Sequence, residues 1–586
     1  MVYMAADTTL TNFAVESLKQ MKAGLSDYVN VVVEFDSGRA LSTERYFFGE
    51  VANEDPDKER KRDPLASISH NIVLRLEAQD VGDPETLANF IDWSVNKYPA
   101  YQYFLILWGH GSGIDDDAPN LHNDAKQNAL EQDRDDRFFI LRHHPLSTTK
   151  SELTDEALKS ISFVDRPVSY LTNEGLKKAL KDAQTRINRW ENKGDDWRLD
   201  LLGMDACNMN LIELGYEVRK FANYLIASQD EIPDASWPYY NILHKLQTET
   251  EILNRNHKYQ GKESEEVPAS TEMTRDQDSR HTEISRKYEP QDIYRIVRNI
   301  AKAYTEAYQD YIEQPVALSA LNLEALREDK NQARGHKLRE KFGPLIDVLQ
   351  LHTTYREIND AIIFARRRVR SFYTRIPSTR EFHTRDIYVD LIHFCNLFCT
   401  SLKGHEKQPE IKDFIKKVEL FVESSARASG QYEENRDNGL HALIAVNEKS
   451  RAEEDCNGTS IYFPATPADE FGSFYEELEF AQDTLWAAFI VDFLGKNPHL
   501  FIPPKFEMRA TRVKGNPHDD TKGNPRDITK GNPRVLDKSA VVVAPGPKPM
   551  IANHSSQENI SPSIYNVIYN YGTIVELGAD ENVEGE

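Results

Sequence analysis

Within the first 240 residues, short apolar runs alternate with segments whose apolar residues recur at helical spacing. Residues 28–35, 103–108 and 199–204 are such runs, and their β-branched and large apolar side chains predict buried strands. Helical patterns lie between them, including one that opens with Asp83 as a cap and Pro84 in the first turn. Because strands that alternate with helices pair in parallel and bury both faces, we expect an α/β protein with a mostly parallel sheet sandwiched by helices.

Polar motifs follow two of these strands where each strand ends. GHGSG occupies residues 109–113, and DAC occupies residues 205–207. Ligands of parallel sheets bind at the carboxyl ends of strands, so we expect His110 and Cys207 on one rim. A cysteine beside a histidine supports catalysis by a thiolate, and the backbone N–H groups of Gly111 and Cys207 are candidates for an oxyanion hole. A buried core cysteine and a structural histidine are the alternative.

The segment after the DAC motif carries a helical pattern over residues 208–221. This pattern predicts that Cys207 begins a helix, whose N-terminus would favour the thiolate. The negative charge of Asp205 would oppose formation of this thiolate. A cap of the same helix is the alternative to a functional role for Asp205.

Changes in composition divide the chain into four segments. The α/β pattern fills residues 1–253, apart from a polar insertion at 114–165. Residues 254–291 are polar and predict a linker or an insertion. Residues 292–502 contain long helical patterns and one strand near 458–464, and they predict a helical region that packs on the α/β core.

The fourth segment, residues 503–586, contains KGNP three times with a period of eight. Such polar repeats cannot bury a core, so they predict a flexible linker and tail. The strand-like stretch at 563–577 predicts a segment that docks on a sheet edge. A weakly ordered terminal hairpin is the equal alternative.

Charge and cysteine content exclude several classes of protein. The chain has 71 Lys and Arg against 95 Asp and Glu, which gives a formal charge of −24. A body this acidic repels polyanions, so nucleic acid is not expected as a partner. No run of about 18 apolar residues predicts a membrane helix, and the first residues lack the pattern of a signal peptide. With four cysteines, too few for a disulfide framework, these features predict a cytoplasmic protein.

Several motifs occur in a fixed order along the chain. They are the segment 83–113 that ends in WGHGSG, LGMDACN at 202–208, and ASQDEIPDASWPY at 227–239. Together they resemble the clostripain family of cysteine peptidases, which shares the caspase-like fold. YVDLIHF at 388–394 and GTSIYFP at 458–464 are also similar to segments of this family.

The resemblance spans roughly residues 1–500 and implies that His110 and Cys207 form a catalytic dyad. It also implies cleavage after basic residues, which acidic side chains recognise in the substrate pocket. Asp205 matches one acidic position of the family. The second lies two residues before the tryptophan of the pocket loop, where this chain has Ala235. Asp234 and Asp230 are the candidates to replace it, or the pocket is altered.

The combined expectation is an intracellular cysteine endopeptidase that cleaves protein or peptide substrates after arginine or lysine. Family members are often matured by self-cleavage between the two motifs, and Arg134, Arg137, Arg142 and Lys150 are the candidate sites here. A regulatory partner bound through the C-terminal tail is the other expected control, in a bacterial defence or cell-death system. The alternative function is a gated or weakly active scaffold that binds a protein partner.

The resemblance implies no required organic cofactor and admits calcium, since calcium activation is known in the family. Residues 115–117 are three aspartates that could bind calcium, but the sequence has no EF-hand spacing, and a solvated acidic loop is the alternative. Cys395, Cys399 and His393 share a helical pattern, yet they offer too few ligands for a metal site. No metal-binding residue is therefore predicted.

Overall fold

The computed structural model divides the chain into two units, residues 1–501 and 502–586. All the residues that the structure describes lie in the first unit. They are residues 1–6, 10–24, 28–36, 42–49, 67–114, 142–143, 169–191, 197–260, 288–310, 315–377, 382–425, 442–450, 456–465 and 473–497. The predicted flexible tail and the aspartates at 115–117 lie outside the described residues.

Fourteen strands are assigned among the described residues, and nine of them form one sheet. The strands are β1 Val2–Ala5, β2 Val31–Asp36, β3 Ser42–Phe48, β4 Ile72–Glu77, β5 Phe104–Trp108, β6 Arg142–His143, β7 Ser169–Tyr170, β8 Leu199–Asp205, β9 Ala222–Ala227, β10 Ala317–Asn322, β11 Ser371–Pro377, β12 Phe382–Asp390, β13 Ile444–Lys449 and β14 Ser460–Tyr462.

The large sheet has the strand order β13-β10-β9-β8-β5-β1-β2-β3-β4. Its five central strands, from β9 to β2, are parallel to one another. Two strands on each side pair antiparallel, which makes the sheet mixed as a whole. The predicted α/β class is confirmed, and the parallel pairing is confined to the centre, where both faces are covered.

Helices cover both faces of this sheet. The α-helices are α1 Thr11–Ala23, α2 Pro84–Lys97, α3 Asn173–Glu191, α4 Ile212–Val218, α5 Tyr239–Gln260, α6 Pro290–Ala307, α7 His336–Leu349, α8 Arg356–Arg368, α9 Leu391–Leu402, α10 Pro409–Ser425, α11 Ser473–Glu477, α12 Glu479–Asp483 and α13 Trp486–Lys496.

Two hydrophobic cores lie on the opposite faces of the sheet, because successive side chains of a strand alternate in direction. In β1, Tyr3 and Ala5 contribute to one core, whereas Val2 and Met4 contribute to the other. Helices α2, α3 and α4 pack in the first core together with the helices that follow residue 336. Helices α1, α5 and α6 pack in the second core.

The later part of the chain supplies strands as well as helices. β10 and β13 extend the large sheet, and β11, β12 and β14 form a second, antiparallel sheet. The predicted strand near 458–464 is β14, and it joins this second sheet while Ser460 bridges to Leu211 of the core. We call the second sheet and helices α7 to α13 the second lobe.

Helix length and composition bear on membrane association. None of the helices in the described part of the chain is long and apolar enough to cross a bilayer.

Candidate active site

Strands β5 and β8 bring the two polar motifs to one edge of the sheet. They are parallel neighbours, and Trp108 lies opposite Asp205 at their carboxyl ends. Just beyond, the Gly109 N–H donates to the carbonyl oxygen of Asp205 at 3.2 Å. A Cβ atom on Gly111 would overlap the carbonyl oxygen of Cys207 and lie 2.9 Å from its nitrogen. The histidine and cysteine motifs are therefore in backbone contact.

Cys207 lies in a turn rather than at the start of a helix, so the prediction of a helix from residue 208 is wrong. Asn208 has a φ of 58°, in the left-handed region, which interrupts any helix at that point. The Asn210 side chain donates to the carbonyl oxygen of Ala227 at 3.1 Å, and α4 begins only at Ile212. A helix N-terminus therefore does not stabilise the thiolate here.

The Cys207 thiol is half-buried, and its surroundings favour the protonated form. Burial raises the pKa of Cys207 to about 12, and the negative charges of Glu231, Asp230 and Asp234 act in the same direction. The Ile232 N–H donates to the sulfur at 3.2 Å and partly opposes this shift. The Cys207 side chain at rest is therefore a thiol, and it would have to lose its proton before it could act as a nucleophile.

His110 is buried on the loop that follows β5. Tyr388 of β12 holds this loop, because its hydroxyl donates to the carbonyl oxygen of Ser112 at 2.8 Å and accepts from the Ile114 N–H at 3.0 Å. Gly113 has a φ of +71°, and a Cβ there would lie 2.6 Å from the tyrosine oxygen. The second lobe thus fixes the segment that carries the histidine.

Asp205 is a buried carboxylate at the end of β8. Its Oδ2 accepts from the Trp237 N–H at 3.2 Å, from the Tyr239 hydroxyl at 2.8 Å and from the Ser236 hydroxyl. Its Oδ1 has no hydrogen-bond partner among the described residues. Burial raises the pKa of Asp205 to about 6, although the three hydrogen bonds lower it. Because α4 begins at Ile212, Asp205 does not cap that helix.

The two other acidic candidates have different environments. Asp230 forms an ion pair with Arg370 of the second lobe, with 2.6 Å between Oδ2 and Nη2. Asp234 is exposed, as is the neighbouring Ala235. Asp230 and Asp234 therefore act on the Cys207 thiol through their charge, and Asp205 lies two residues before it. Of the three predicted acids, Asp230 alone has a cationic partner among the described residues.

The structure adds residues that sequence analysis did not select. Glu231 has the largest effect of any charge on the pKa of the Cys207 thiol. The only sequence feature that could have indicated this residue is its place in the acidic segment DEIPDASW. Ser236 and Tyr239 hold Asp205, and they lie in the pocket-loop motif on either side of its tryptophan. Tyr388 lies within YVDLIHF, which indicated family resemblance but no role, and Arg370 carried no signal.

The other three cysteines form no disulfide bond. Cys395, Cys399 and Cys456 are all buried. Burial raises the pKa of both Cys395 and Cys399, so these thiols are unreactive core side chains. Within the described ranges, no group of three or more His, Cys, Asp or Glu side chains could hold a metal ion. Calcium binding at 115–117 stays a prediction, because these residues lie outside the described ranges.

Comparison with known proteins gives a consistent set of relatives. The sequence model of the clostripain family matches residues 2–142 and 128–493. Clostripain from Hathewaya histolytica is 30% identical over 129 residues, which cover 19% of this chain and 23% of that protein. The chain thus matches less than a quarter of the length of this curated relative.

Two solved structures are also similar to this chain. One is a secreted C11 cysteine protease from Bacteroides thetaiotaomicron in complex with an irreversible peptide inhibitor, which is 14% identical with a TM-score of 0.40. The other is an inactive zymogen C11 protease from Parabacteroides distasonis, which is 15% identical with a TM-score of 0.44. The matches cover 82% of this chain, and 97% and 96% of the respective relatives.

Proposed function

Because the chain belongs to the clostripain family of cysteine peptidases, we propose that it hydrolyses peptide bonds after arginine and lysine, with Cys207 as nucleophile and His110 as proton carrier. One observation supports this substrate class above the others. The buried Asp205 carboxylate lies two residues before the nucleophile, and its Oδ1 has no partner among the described residues. A guanidinium or ammonium group of a substrate would pair with that oxygen.

The proposed reaction starts from a protonated thiol, since the pKa of Cys207 is raised to about 12. His110 takes the proton, and the sulfur attacks the carbonyl carbon of the scissile bond. The backbone N–H groups of Gly111 and Cys207 stabilise the oxyanion. His110 then returns the proton to the leaving amine, and water hydrolyses the thioester to the acid and the free thiol.

A cationic substrate would also activate the nucleophile. The acidic residues around Cys207 hold its pKa high, and Glu231 contributes most among them. A bound arginine or lysine side chain brings a positive charge into that field, which lowers the pKa of the thiol. Substrate binding and nucleophile activation are then coupled through charge. Asp205 binds the cation at the base of the pocket, and the exposed Asp234 attracts it at the rim.

Control and location are part of the same proposal. We propose a cytoplasmic enzyme that is activated either by self-cleavage of a zymogen at Arg134, Arg137, Arg142 or Lys150, or by a partner at the C-terminal tail, in a bacterial defence or cell-death system. The tail and most of the segment between the two motifs lie outside the described residues, so both controls stay predictions. A single intact chain on a denaturing gel after prolonged incubation of active enzyme would refute self-cleavage.

A set of fluorogenic peptides that differ only at the residue before the cleaved bond tests the proposal. We expect turnover with arginine and lysine, and at least about 100-fold less with glutamine. Cys207→Ala and His110→Ala should each reduce turnover to background. His244→Ala removes an exposed histidine on α5 and should leave turnover unchanged.

The same assay separates the peptidase from the scaffold alternative. Equal background turnover in the wild type and Cys207→Ala, with and without calcium and candidate partners, would refute the proposed activity. Equal turnover of arginine and glutamine peptides would refute the proposed substrate class but would still support a peptidase activity.

A further inference from the structure

The pocket loop, residues 228–238 between β9 and α5, forms three hydrogen bonds with residues 207–210. The Ile232 N–H donates to the sulfur of Cys207 at 3.2 Å. The Asn208 N–H donates to the carbonyl oxygen of Asp230 at 3.2 Å. A third contact, 2.9 Å long, joins the Asn210 N–H to the carbonyl oxygen of Ser228. The position of the pocket loop therefore decides what lies against the thiol.

The second lobe holds the other side of this loop through Arg370. Its Nη2 lies 2.6 Å from Oδ2 of Asp230, and the two side chains are 29% and 26% exposed. Oδ1 of Asp230 accepts from the Glu231 N–H at 2.8 Å, so both carboxylate oxygens are engaged. A basic group of a substrate would have to displace the arginine to reach Asp230.

The arginine is itself anchored by the second lobe. Its N–H donates to Nδ1 of His393 at 3.2 Å, and its carbonyl oxygen accepts from the Asp390 N–H at 3.0 Å. The buried Asp390 carboxylate also accepts from Nε2 of Gln229 at 3.0 Å. Two adjacent residues of the pocket loop, Gln229 and Asp230, thus bind to Asp390 and Arg370, which are themselves hydrogen-bonded to each other in the second lobe.

We propose that Arg370 is a positioning residue of this peptidase, which holds the pocket loop against Cys207 through Asp230 and cancels the charge of Asp230 there. Asp230 then supports the loop and does not select the substrate. This inference rests on the proposed function, because it assigns a role to a residue that acts on the proposed nucleophile. The recognition of a basic residue falls to Asp205 and Asp234.

Removal of each charge should shift the pKa of the Cys207 thiol in a known direction. Among the described residues, three acids on the pocket loop act on the thiol by charge, namely Glu231, Asp230 and Asp234. The other charged or titratable groups to be considered are Asp205 and His110 on the two motifs, Tyr304 on α6 and Arg370 from the second lobe. Removal of the arginine alone leaves an extra negative charge, which disfavours the thiolate. Removal of the aspartate charge alone leaves an extra positive charge, which favours it.

The experiment compares Arg370→Gln, Asp230→Asn and the double variant by two measurements. The first is the pH dependence of iodoacetamide alkylation at Cys207, read by mass spectrometry of the modified peptide in the full chain. We expect the titration to move to higher pH in Arg370→Gln, to lower pH in Asp230→Asn, and to return close to the wild-type position in the double variant. A purely structural defect would not move the two single variants in opposite directions.

The second measurement is steady-state turnover of an arginyl peptide. Loss of the Arg370–Asp230 ion pair should lower kcat roughly tenfold or more in all three variants, because the pocket loop is misplaced. KM should change less, because the proposed substrate-binding carboxylates, Asp205 and Asp234, remain. Arg370→Lys keeps the charge and should keep the wild-type thiol titration, which also covers the case in which Arg370→Gln does not fold. Arg356→Gln removes an ion pair whose arginine is 90% exposed and serves as the control without effect.

Three results would overturn the inference. They are a shift of both single variants in the same direction, no shift in either, and a KM that rises more than tenfold in Asp230→Asn with unchanged kcat. The last result would make Asp230 a substrate-binding residue. Failure of the wild type to cleave any peptide would refute the proposed function alone, because alkylation reports on Arg370 without proteolysis.

Discussion

The backbone of Gly111 lies directly against the backbone of Cys207. A Cβ atom at position 111 would overlap the carbonyl oxygen of Cys207, lie 2.9 Å from its nitrogen and lie 3.1 Å from the Cβ of Ala206. The loop after β5 therefore reaches Cys207 only because residue 111 has no side chain. In the proposed reaction this contact also sets the two N–H groups that face the oxyanion.

Gly111→Ala is expected to lower kcat on the order of 100-fold, because a displacement near 1 Å at reacting groups costs that much. The overlapping atoms belong to backbone, so they cannot move away without shifting Cys207. Steady-state kinetics on an arginyl peptide measure the effect. Gly495→Ala on α13, where an added Cβ meets nothing within 4 Å, is the matched control and should keep wild-type kcat. Wild-type kcat in both variants would contradict the role of this contact.

Asp205 should make binding of basic substrates pH-dependent. Its pKa is raised to about 6 by burial, so the carboxylate loses its charge as the pH falls through that value. We expect KM for an arginyl peptide to rise below pH 6, while KM for a glutamine peptide stays flat. Asp205→Asn should raise KM for the arginyl peptide roughly 100-fold and remove this pH dependence. Asp492→Asn, at a half-exposed surface position, should behave as the wild type.

Tyr388→Phe is expected to lower kcat while the fold is kept. The variant loses two hydrogen bonds to the loop after His110, at 2.8 Å to Ser112 and 3.0 Å to Ile114, but retains the ring in the core. We expect kcat to fall roughly tenfold and the free energy of unfolding to fall by about 1–3 kcal/mol. Tyr240→Phe removes the hydroxyl of an exposed tyrosine and should change neither quantity. An unchanged kcat in Tyr388→Phe would show that the loop needs no support from the second lobe.

Glu213→Gln is expected to stabilise the protein at alkaline pH. Burial raises the pKa of Glu213 to about 7, while its Oε1 accepts from the Tyr462 N–H and the Tyr475 hydroxyl. A raised pKa means that the folded state favours the protonated acid. Its contribution is thus complete below its unfolded pKa and is lost as the pH rises through 7.

Denaturant titrations at pH 5 and pH 8 measure this contribution. The difference in unfolding free energy between Glu213→Gln and the wild type should move by about 2 kcal/mol in favour of the variant from pH 5 to pH 8. Glu476→Gln, on the neighbouring α11 helix at an exposed position, should show no such change. The same difference at both pH values for Glu213→Gln would contradict the raised pKa.

Much of the central sheet could be predicted locally. The runs at 28–35, 103–108 and 199–204 correspond to β2, β5 and β8, because buried parallel strands are continuous apolar runs. β10 was missed, since its sequence ALSALN has little strand preference, and β9 and β13 hold it on both sides. Pairing across the chain overrides local propensity in such a segment.

The candidate site also has features that could be predicted from the sequence and features that could not. His110 and Cys207 could be located from sequence because each follows a strand, and the ends of neighbouring parallel strands meet. The start of the helix after Cys207 could not be predicted, because the left-handed conformation of Asn208 and the hydrogen bond from Asn210 to Ala227 are features of the tertiary structure. The helical pattern in residues 208–221 is real, but only Ile212–Val218 is helical.

Sequence alone therefore determined which side chains could do the chemistry, since their place at strand ends is a local property of the chain. Tertiary structure decided their electrostatic state. Asp230 is paired with Arg370, which is 140 residues away in sequence, whereas Asp205 is buried with one oxygen lacking a partner among the described residues. Three acids that look alike in sequence thus differ in charge and access, because both depend on distances through space.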